Sequence, residues 1–234
     1  FLSNFKAKKV VNAEHKVVSP GFIDVHTHDD DNVFKDPSLS SKISQGVTTC
    51  IAGNCGISLA PFSFKGTVPA PIALLGKSDV FNYPRIKDYI DKFKSNPSTV
   101  NVALLTGHSM LRVEAMNGDF DRPANSEEIS KMINKLEVAI QDGSIGLSTG
   151  LAYPAANAAP TQEIIELTKI LPKYDAIFTT HMRNEAVDVI KSVKETIEIT
   201  NASNVRTVIS HHKCAGRSNW GKSKQTLKLI EEAK

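Results

Sequence analysis

The chain of 234 residues is long enough to bury a large hydrophobic core, and its composition, 41% hydrophobic and 23% charged, is typical of a globular protein. The formal net charge of +3 comes from 28 basic and 25 acidic residues that are spread along the chain, so the sequence does not predict a nucleic-acid partner. No apolar stretch approaches the ~20 residues that a membrane span needs. Three cysteines are too few for a disulfide framework, which favours a reducing compartment such as the cytoplasm. The sequence indicates no particular oligomeric state.

Strand and helix patterns alternate from residue 19 onward. Short β-rich runs lie near 21–28, 47–53, 100–106, 144–149, 175–181 and 205–211. Apolar residues at helical spacing predict helices over 126–140, 161–171 and 184–200, and a further helical pattern covers 222–234. Residues 57–90, rich in Pro, Gly and Ser, are predicted to form a long loop. Such alternation of strands and helices indicates an α/β fold.

A barrel explains this pattern better than a doubly wound sheet. A doubly wound sheet usually has a glycine-rich phosphate turn after its first strand, whereas here the first strand ends in His26 and His28. In a (β/α)8 (TIM) barrel the carboxyl ends of all strands meet at one mouth. We therefore expect residues 19–234 to form strands 1–6 of such a barrel, with strands 7 and 8 beyond Lys234 and with both chain ends lying inside a longer protein.

Potential metal ligands stand where the predicted strands end: His26, His28, Cys55, His181 and His211. Residues two apart on a strand share a face, so His26 and His28 are predicted to point the same way. Imidazole and thiolate ligands suit zinc better than magnesium or calcium. The pattern therefore predicts a metal-dependent hydrolase.

Each of these residues also has a simpler interpretation. His26 and His28 are alternatively two surface histidines, and Cys55 is alternatively a buried packing residue, although its flanking glycines favour a place at the barrel mouth. Of two adjacent histidines, His211 is expected to be the ligand and His212 to pack or to support it. His108 either lines the pocket or hydrogen-bonds a loop, and Asp29-Asp-Asp31 is expected to be a solvated turn.

Seven segments in the same order resemble the N-acyl-D-amino-acid deacylases, a family of the amidohydrolase superfamily of metal-dependent barrel hydrolases. The segments cover 20–30, 43–49, 53–61, 107–109, 146–154, 180–183 and 209–213. The resemblance implies zinc-dependent hydrolysis of the amide bond of an N-acyl-D-amino acid, a small-molecule substrate, to a carboxylate and a D-amino acid. It also implies that residues 1–18 are the tail of a small β-domain that precedes the barrel.

The resemblance further implies roles for individual residues. A tightly bound zinc would be held by Cys55, His181 and His211, and His26 and His28 would contribute to a second, weaker metal position. The substrate carboxylate would be bound by Lys213 and Tyr153. The general base of these enzymes is an Asp after strand 8, which is expected beyond Lys234, so the segment alone is expected to be inactive.

Two other functions remain open from the sequence. A dihydroorotase- or hydantoinase-like cyclic amidase would need a carboxylated lysine at the end of strand 4, but residues 144–152 contain no lysine. A non-catalytic remnant that binds a metal is the second alternative.

Overall fold

The structure is a computed structural model that describes residues 6–64 and 66–234. Its strands are β1 (Phe22–Asp24), β2 (Val47–Ala52), β3 (Phe62–Ser63), β4 (Asn82–Tyr83), β5 (Asn101–Leu104), β6 (Thr106–Gly107), β7 (Gly146–Gly150), β8 (Ile177–His181) and β9 (Arg206–Ile209). Its α-helices are α1 (Asn32–Lys35), α2 (Ser40–Ile43), α3 (Ile86–Ser95), α4 (His108–Ala115), α5 (Ser126–Gln141), α6 (Pro154–Asn157), α7 (Thr161–Thr168), α8 (Val189–Ser203) and α9 (Ser223–Glu232).

The strands form two parallel sheets in chain order, β1-β2-β5 and β6-β7-β8-β9. Only Leu105 separates β5 from β6, and its N–H donates to the carbonyl of Ala52 at 2.9 Å. The carbonyl of Leu104 in turn accepts from the N–H of Ile145 at 2.8 Å. The residues described therefore include six successive parallel strand positions whose carboxyl ends lie along one edge, which confirms the α/β prediction.

Helices pack against the parallel array, with α2 on β2, α4 on β7 and α8 on β9. All five residues of β7 are buried, as expected for a parallel strand with both faces covered. The predicted helix near 126–140 is α5, and its start is a capping box: the Asn125 side chain accepts from the Glu128 N–H at 2.9 Å, and the Glu128 carboxylate accepts from the Asn125 N–H at 2.8 Å.

Three segments differ from the prediction. Residues 57–90 are not simply a loop, because β3 and β4 pair as an antiparallel hairpin and α3 begins at Ile86. Helix α4 was not predicted, since residues 108–113 are all buried and the helix therefore lacks a polar face. Helix α8 begins at Val189 rather than 184, because the Asn184 side chain accepts the N–H groups of Ala186 and Asp188 and so forms a turn.

The segment before β1 has no regular structure within residues 6–18, although its runs of valine resemble strands. Val10, Val11, Val17 and Val18 are all exposed. Residues 1–5 of the predicted β-domain tail lie outside the described residues. Among the residues described, no helix combines the length and the apolar composition required to cross a bilayer.

Candidate metal centre

A tight turn after β2 carries Cys55. Gly53 and Gly56 have φ of +79° and +77°, and a Cβ on Gly53 would lie 2.1 Å from the carbonyl oxygen of Leu105. Cys55 itself has a φ of 55°. Left-handed backbone is costly for a residue with a side chain, so the surrounding structure must hold Cys55 in place.

Two buried polar side chains fasten this turn. The Ser148 hydroxyl on β7 accepts the Gly56 N–H at 3.0 Å and donates to the carbonyl of Gly53. The Asp30 carboxylate accepts the Gly53 N–H at 3.2 Å. Asp30 is fully buried, and this burial raises its pKa to about 7. The expectation of a solvated turn at Asp29-Asp-Asp31 is therefore wrong for Asp30.

The Cys55 sulfur lies among the predicted histidines. Its Sγ is 3.3 Å from His26 Nε2, 3.4 Å from His211 Nε2 and 3.8 Å from His181 Nδ1. His28 packs edge-on against His26, with ring centroids 5.5 Å apart. We call the set of these residues the Cys55 cluster: His26, His28, Cys55, His181 and His211.

The Cys55 cluster contains two overlapping triads that share the sulfur. The first triad is His26, His28 and Cys55, and the second is Cys55, His181 and His211. Within each triad the potential ligand atoms lie within 4.8 Å of one another. The structure thus brings together all five residues that the sequence singled out as ligands. The first and last of them are 185 residues apart in sequence (211 − 26).

The electrostatic environment of the cluster suits a bound cation. Burial lowers the pKa of His26 and of His181 to about 4, so both imidazoles are neutral and have a lone pair to offer at pH 7. Burial and the nearby Glu185 charge raise the pKa of Cys55 to about 12. A thiolate in this place needs a positive charge beside it, and a thiolate with two or three imidazoles is a donor set for zinc.

The two residues predicted to bind substrate lie beside the cluster. The Tyr153 hydroxyl is 3.2 Å from His181 Nδ1. The Lys213 side chain is half exposed, forms an ion pair with Glu185, and has its Nζ 3.2 Å from His211 Nδ1. His212 points elsewhere: its Nε2 lies 2.8 Å from the Thr226 hydroxyl of α9, which is the packing position expected of it.

Sequence reasoning missed Glu185, whose carboxylate contacts three residues of the site. It lies 3.0 Å from His211 Nδ1 and 3.4 Å from His181 Nε2, in addition to its ion pair with Lys213. The sequence signal that could have identified Glu185 was its position four residues after His181. It was weak because the segment between β8 and α8 is neither helix nor strand at this point.

His108 is not part of the cluster. Its Nε2 lies 2.9 Å from Glu163 Oε1, and the same carboxylate binds Arg112, with all three side chains fully buried. Burial lowers the pKa of His108. Its role is therefore to join α4 to α7 rather than to line the site.

The parallel α/β architecture and the imidazole and thiol groups at its carboxyl edge are those of a metal-dependent α/β hydrolase. Residues 9–223 match the model of the amidohydrolase family, and the chain belongs to this family. It is 44% identical over 232 residues to a D-aminoacylase of Alcaligenes xylosoxydans xylosoxydans, which covers 99% of this chain and 48% of the relative. An N-acyl-D-glutamate deacylase of the same organism is 38% identical over 233 residues, and the match covers 100% of this chain and 47% of that relative.

Solved structures agree with this assignment. A crystal structure of D-aminoacylase superposes with a TM-score of 0.94 at 44% identity, covering 99% of this chain and 48% of that one. An N-acyl-D-glutamate deacylase from Bordetella bronchiseptica, complexed with zinc and a phosphonate inhibitor, superposes with a TM-score of 0.93 at 38% identity. The match covers 100% of this chain and 48% of that one. The resemblance to N-acyl-D-amino-acid deacylases is confirmed. The chain spans about half the length of the relatives that it matches.

Proposed function

We propose that the protein is a zinc-dependent deacylase that hydrolyses the amide bond of N-acyl-D-amino acids to a carboxylate and a D-amino acid. The observation that carries this proposal is the position of the Cys55 sulfur, within 3.8 Å of nitrogens of His26, His181 and His211. The similarity to a deacylase complexed with zinc supports the choice of metal.

Two metal positions fit the cluster. Cys55, His181 and His211 would hold the tight zinc, and His26 and His28 would share the Cys55 sulfur at a second, weaker position. When bound, zinc polarises an amide carbonyl and makes water nucleophilic at neutral pH. The neutral imidazoles of His26 and His181 have the protonation state that ligation requires.

The chain's polar residues beside the cluster would bind and orient the substrate. The Lys213 ammonium is half exposed and close to His211, so it is placed to pair with the substrate's α-carboxylate. The Tyr153 hydroxyl would donate to the same group. Glu185 is already bound to Lys213 and to two imidazoles, so it does not serve as the general base. We assign that role to an aspartate outside these 234 residues.

The same proposal includes the architecture. Residues 19–234 would form strands 1–6 of a (β/α)8 barrel, and residues 1–18 the tail of a small β-domain. Six successive parallel strand positions support this, as do ligands at the carboxyl ends of several strands, where such barrels have their active sites. The free thiols of Cys50, Cys55 and Cys214 support a reducing, cytoplasmic compartment.

The test is hydrolysis by the full-length protein of N-acetyl-D-amino acids, with the L-enantiomers as controls. We expect release of the D-amino acid, loss of activity after dialysis against a chelator, and recovery with zinc. Cys55→Ala should lose both bound zinc and activity. Cys50→Ala, which removes the fully buried thiol of β2, should keep both and serves as the matched control.

Two outcomes would contradict the proposal. Zinc-dependent opening of hydantoin or dihydroorotate, without cleavage of N-acetyl-D-amino acids, would indicate the cyclic amidase instead. β7 has no lysine to bridge two metals, which argues against that reaction. Stoichiometric zinc without any hydrolysis would indicate a non-catalytic metal-binding protein.

A further inference from the structure

We infer that Glu185 is a positioning residue for this site. Its carboxylate determines which nitrogen of His181 and which nitrogen of His211 faces Cys55, and it holds the Lys213 ammonium beside both rings. The inference rests on the proposed zinc site, and it assigns to Glu185 a role that the cluster residues cannot supply themselves.

The two imidazoles present opposite nitrogens to the sulfur. His211 has Nε2 at 3.4 Å from Cys55 Sγ and Nδ1 at 3.0 Å from Glu185 Oε1. His181 has Nδ1 at 3.8 Å from Cys55 Sγ and Nε2 at 3.4 Å from Glu185 Oε2. A carboxylate accepts only from an N–H, so the hydrogen bond to Glu185 selects the tautomer of His211 with its proton on Nδ1 and leaves the lone pair of Nε2 facing Cys55. At His181 the 3.4 Å contact is an ion-pair distance rather than a hydrogen bond, and the carboxylate charge there favours a proton on the nearer nitrogen, Nε2.

Tyr153 provides independent support for the His181 tautomer. Its hydroxyl lies 3.2 Å from His181 Nδ1, where it can donate to a nitrogen that has a lone pair. That nitrogen is the one that faces Cys55. The contacts on both sides of the ring therefore agree on a proton at Nε2 and a lone pair at Nδ1.

Lys213 balances the charge of Glu185. The Glu185 side chain is only 9% exposed, and a carboxylate so far from water is costly unless it is paired. The Lys213 ammonium forms that pair with Oε2, the oxygen that also faces His181. Lys213 Nζ is also 3.2 Å from His211 Nδ1. An ammonium and an N–H are both donors, so these two groups do not bond to each other, and the Glu185 carboxylate accepts from both. One side chain thus sets the position of two rings and of one cation.

The main chain of Glu185 is held as well. Its carbonyl accepts the N–H of Ala215 at 2.7 Å, which joins the loop after β8 to the loop that contains His211 and Lys213. The preceding Asn184 is fixed by a 3.0 Å hydrogen bond from its N–H to the Ser192 hydroxyl of α8. Because the backbone is anchored on both sides, the carboxylate is oriented before any metal binds.

Zinc affinity in the full-length protein tests the inference, measured by competition with a chelator of known affinity. Loss of a carboxylate that orients metal-binding histidines typically weakens metal binding by about 10- to 100-fold. We expect this loss in Glu185→Ala and in the isosteric Glu185→Gln, in which the amide can accept from only one ring. The matched control is Glu128→Gln, since Glu128 is similarly buried and ion-paired, but with Arg122. That variant should bind zinc as the wild type does.

Histidine ring ¹⁵N spectra of the zinc-loaded protein provide the second measurement. The wild type should show one cluster ring protonated at Nε2 and another at Nδ1, and Glu185→Gln should lose at least one of these two signals. Wild-type affinity and unchanged tautomers in both Glu185 variants would overturn the inference. Failure of the zinc site itself is distinguishable, because Cys55→Ala would then bind zinc as tightly as the wild type.

Discussion

At the scale of single residues, the site depends on side chains held in costly positions. Cys55 and His211 both have left-handed backbone, with φ of 55° and 34°. Ser148 and Asp30 hold the turn of Cys55, and the Ala215 N–H on the Glu185 carbonyl holds the loop of His211. Strain of this kind persists only where surrounding contacts maintain it, and it is concentrated at functional sites.

Lys213 gives a prediction at this scale. If its ammonium pairs with the substrate carboxylate, Lys213→Ala loses a charge-assisted hydrogen bond of roughly 1.5–3 kcal/mol, or about 10- to 150-fold in kcat/KM. We expect this loss on an N-acetyl-D-amino acid and a much smaller loss on its neutral amide analogue, when wild type and variant are both assayed with saturating zinc. Lys191→Ala, which removes an exposed ammonium on α8, is the control. Equal losses on both substrates would show that Lys213 does not bind the carboxylate.

At the scale of secondary-structure elements, a buried ionic network joins α4 to α7. Arg112 on α4 donates to both oxygens of Glu163 on α7, at 2.5 and 2.6 Å, and both side chains are fully buried. Arg112 also donates to the carbonyls of Phe120, Arg122 and Ala155. The last of these lies at the start of α6, two residues after Tyr153, so the network stabilises the backbone next to the site.

Breaking this network should destabilise the fold strongly. Glu163→Gln leaves the Arg112 guanidinium buried without its counter-charge, and such a change typically costs about 3–5 kcal/mol of unfolding free energy. Urea denaturation measures it. Glu166→Gln, on the same helix but with a partly exposed ion pair to Lys169, should cost less than about 1 kcal/mol. A small change in unfolding free energy for Glu163→Gln would mean that α7 is held mainly by its apolar contacts.

The same network predicts acid sensitivity. Burial by itself would raise the pKa of Glu163, but hydrogen bonds and charges from His108 and Arg112 lower it to about 2, against an ordinary value of 4.5. At pH values between these two pKa values, Glu163 is protonated in the unfolded chain and ionised in the folded one. The contribution of Glu163 is therefore complete above about 4.5 and is lost as the pH falls toward about 2. Unfolding free energies across this range should fall less steeply in Glu163→Gln than in the wild type.

At the scale of the whole molecule, the two outer strands of the parallel array expose apolar side chains. Phe22 and Ile23 of β1 are exposed, and so is Val208 of β9. Exposed apolar edge strands pair readily with other chains. We expect the 234-residue chain to self-associate at micromolar concentration, as measured by light scattering. The double variant with Ile23→Lys and Val208→Lys should self-associate less. Val187→Lys, at an exposed position outside the strands, should have little effect. Equal scattering by all variants would contradict an edge-driven association.

The alternation of strands and helices was predictable because it depends on local periodicity. Helix α5 shows this, since its apolar stripe and its Asn125 cap lie within one window of sequence. Helix α4 shows the limit. It is buried nearly all round, because β7 and the neighbouring helices cover it, and so it has no amphipathic period to detect. The valine runs in residues 6–18 form no strand in the structure, because strand-like composition forms a strand only when a partner strand is present.

By itself, the sequence determined the chemistry that this protein has available: a thiol and four imidazoles at strand ends, with the family motifs around them. Residue type and local spacing are enough for that, because they set what each side chain can donate and which face it occupies. Only the tertiary structure decided which groups support the site. Ser148 lies 92 residues from Gly56, and Glu185 is 26 residues from His211. Contacts of that kind are produced by parallel strand order and loop packing, which local sequence patterns do not encode.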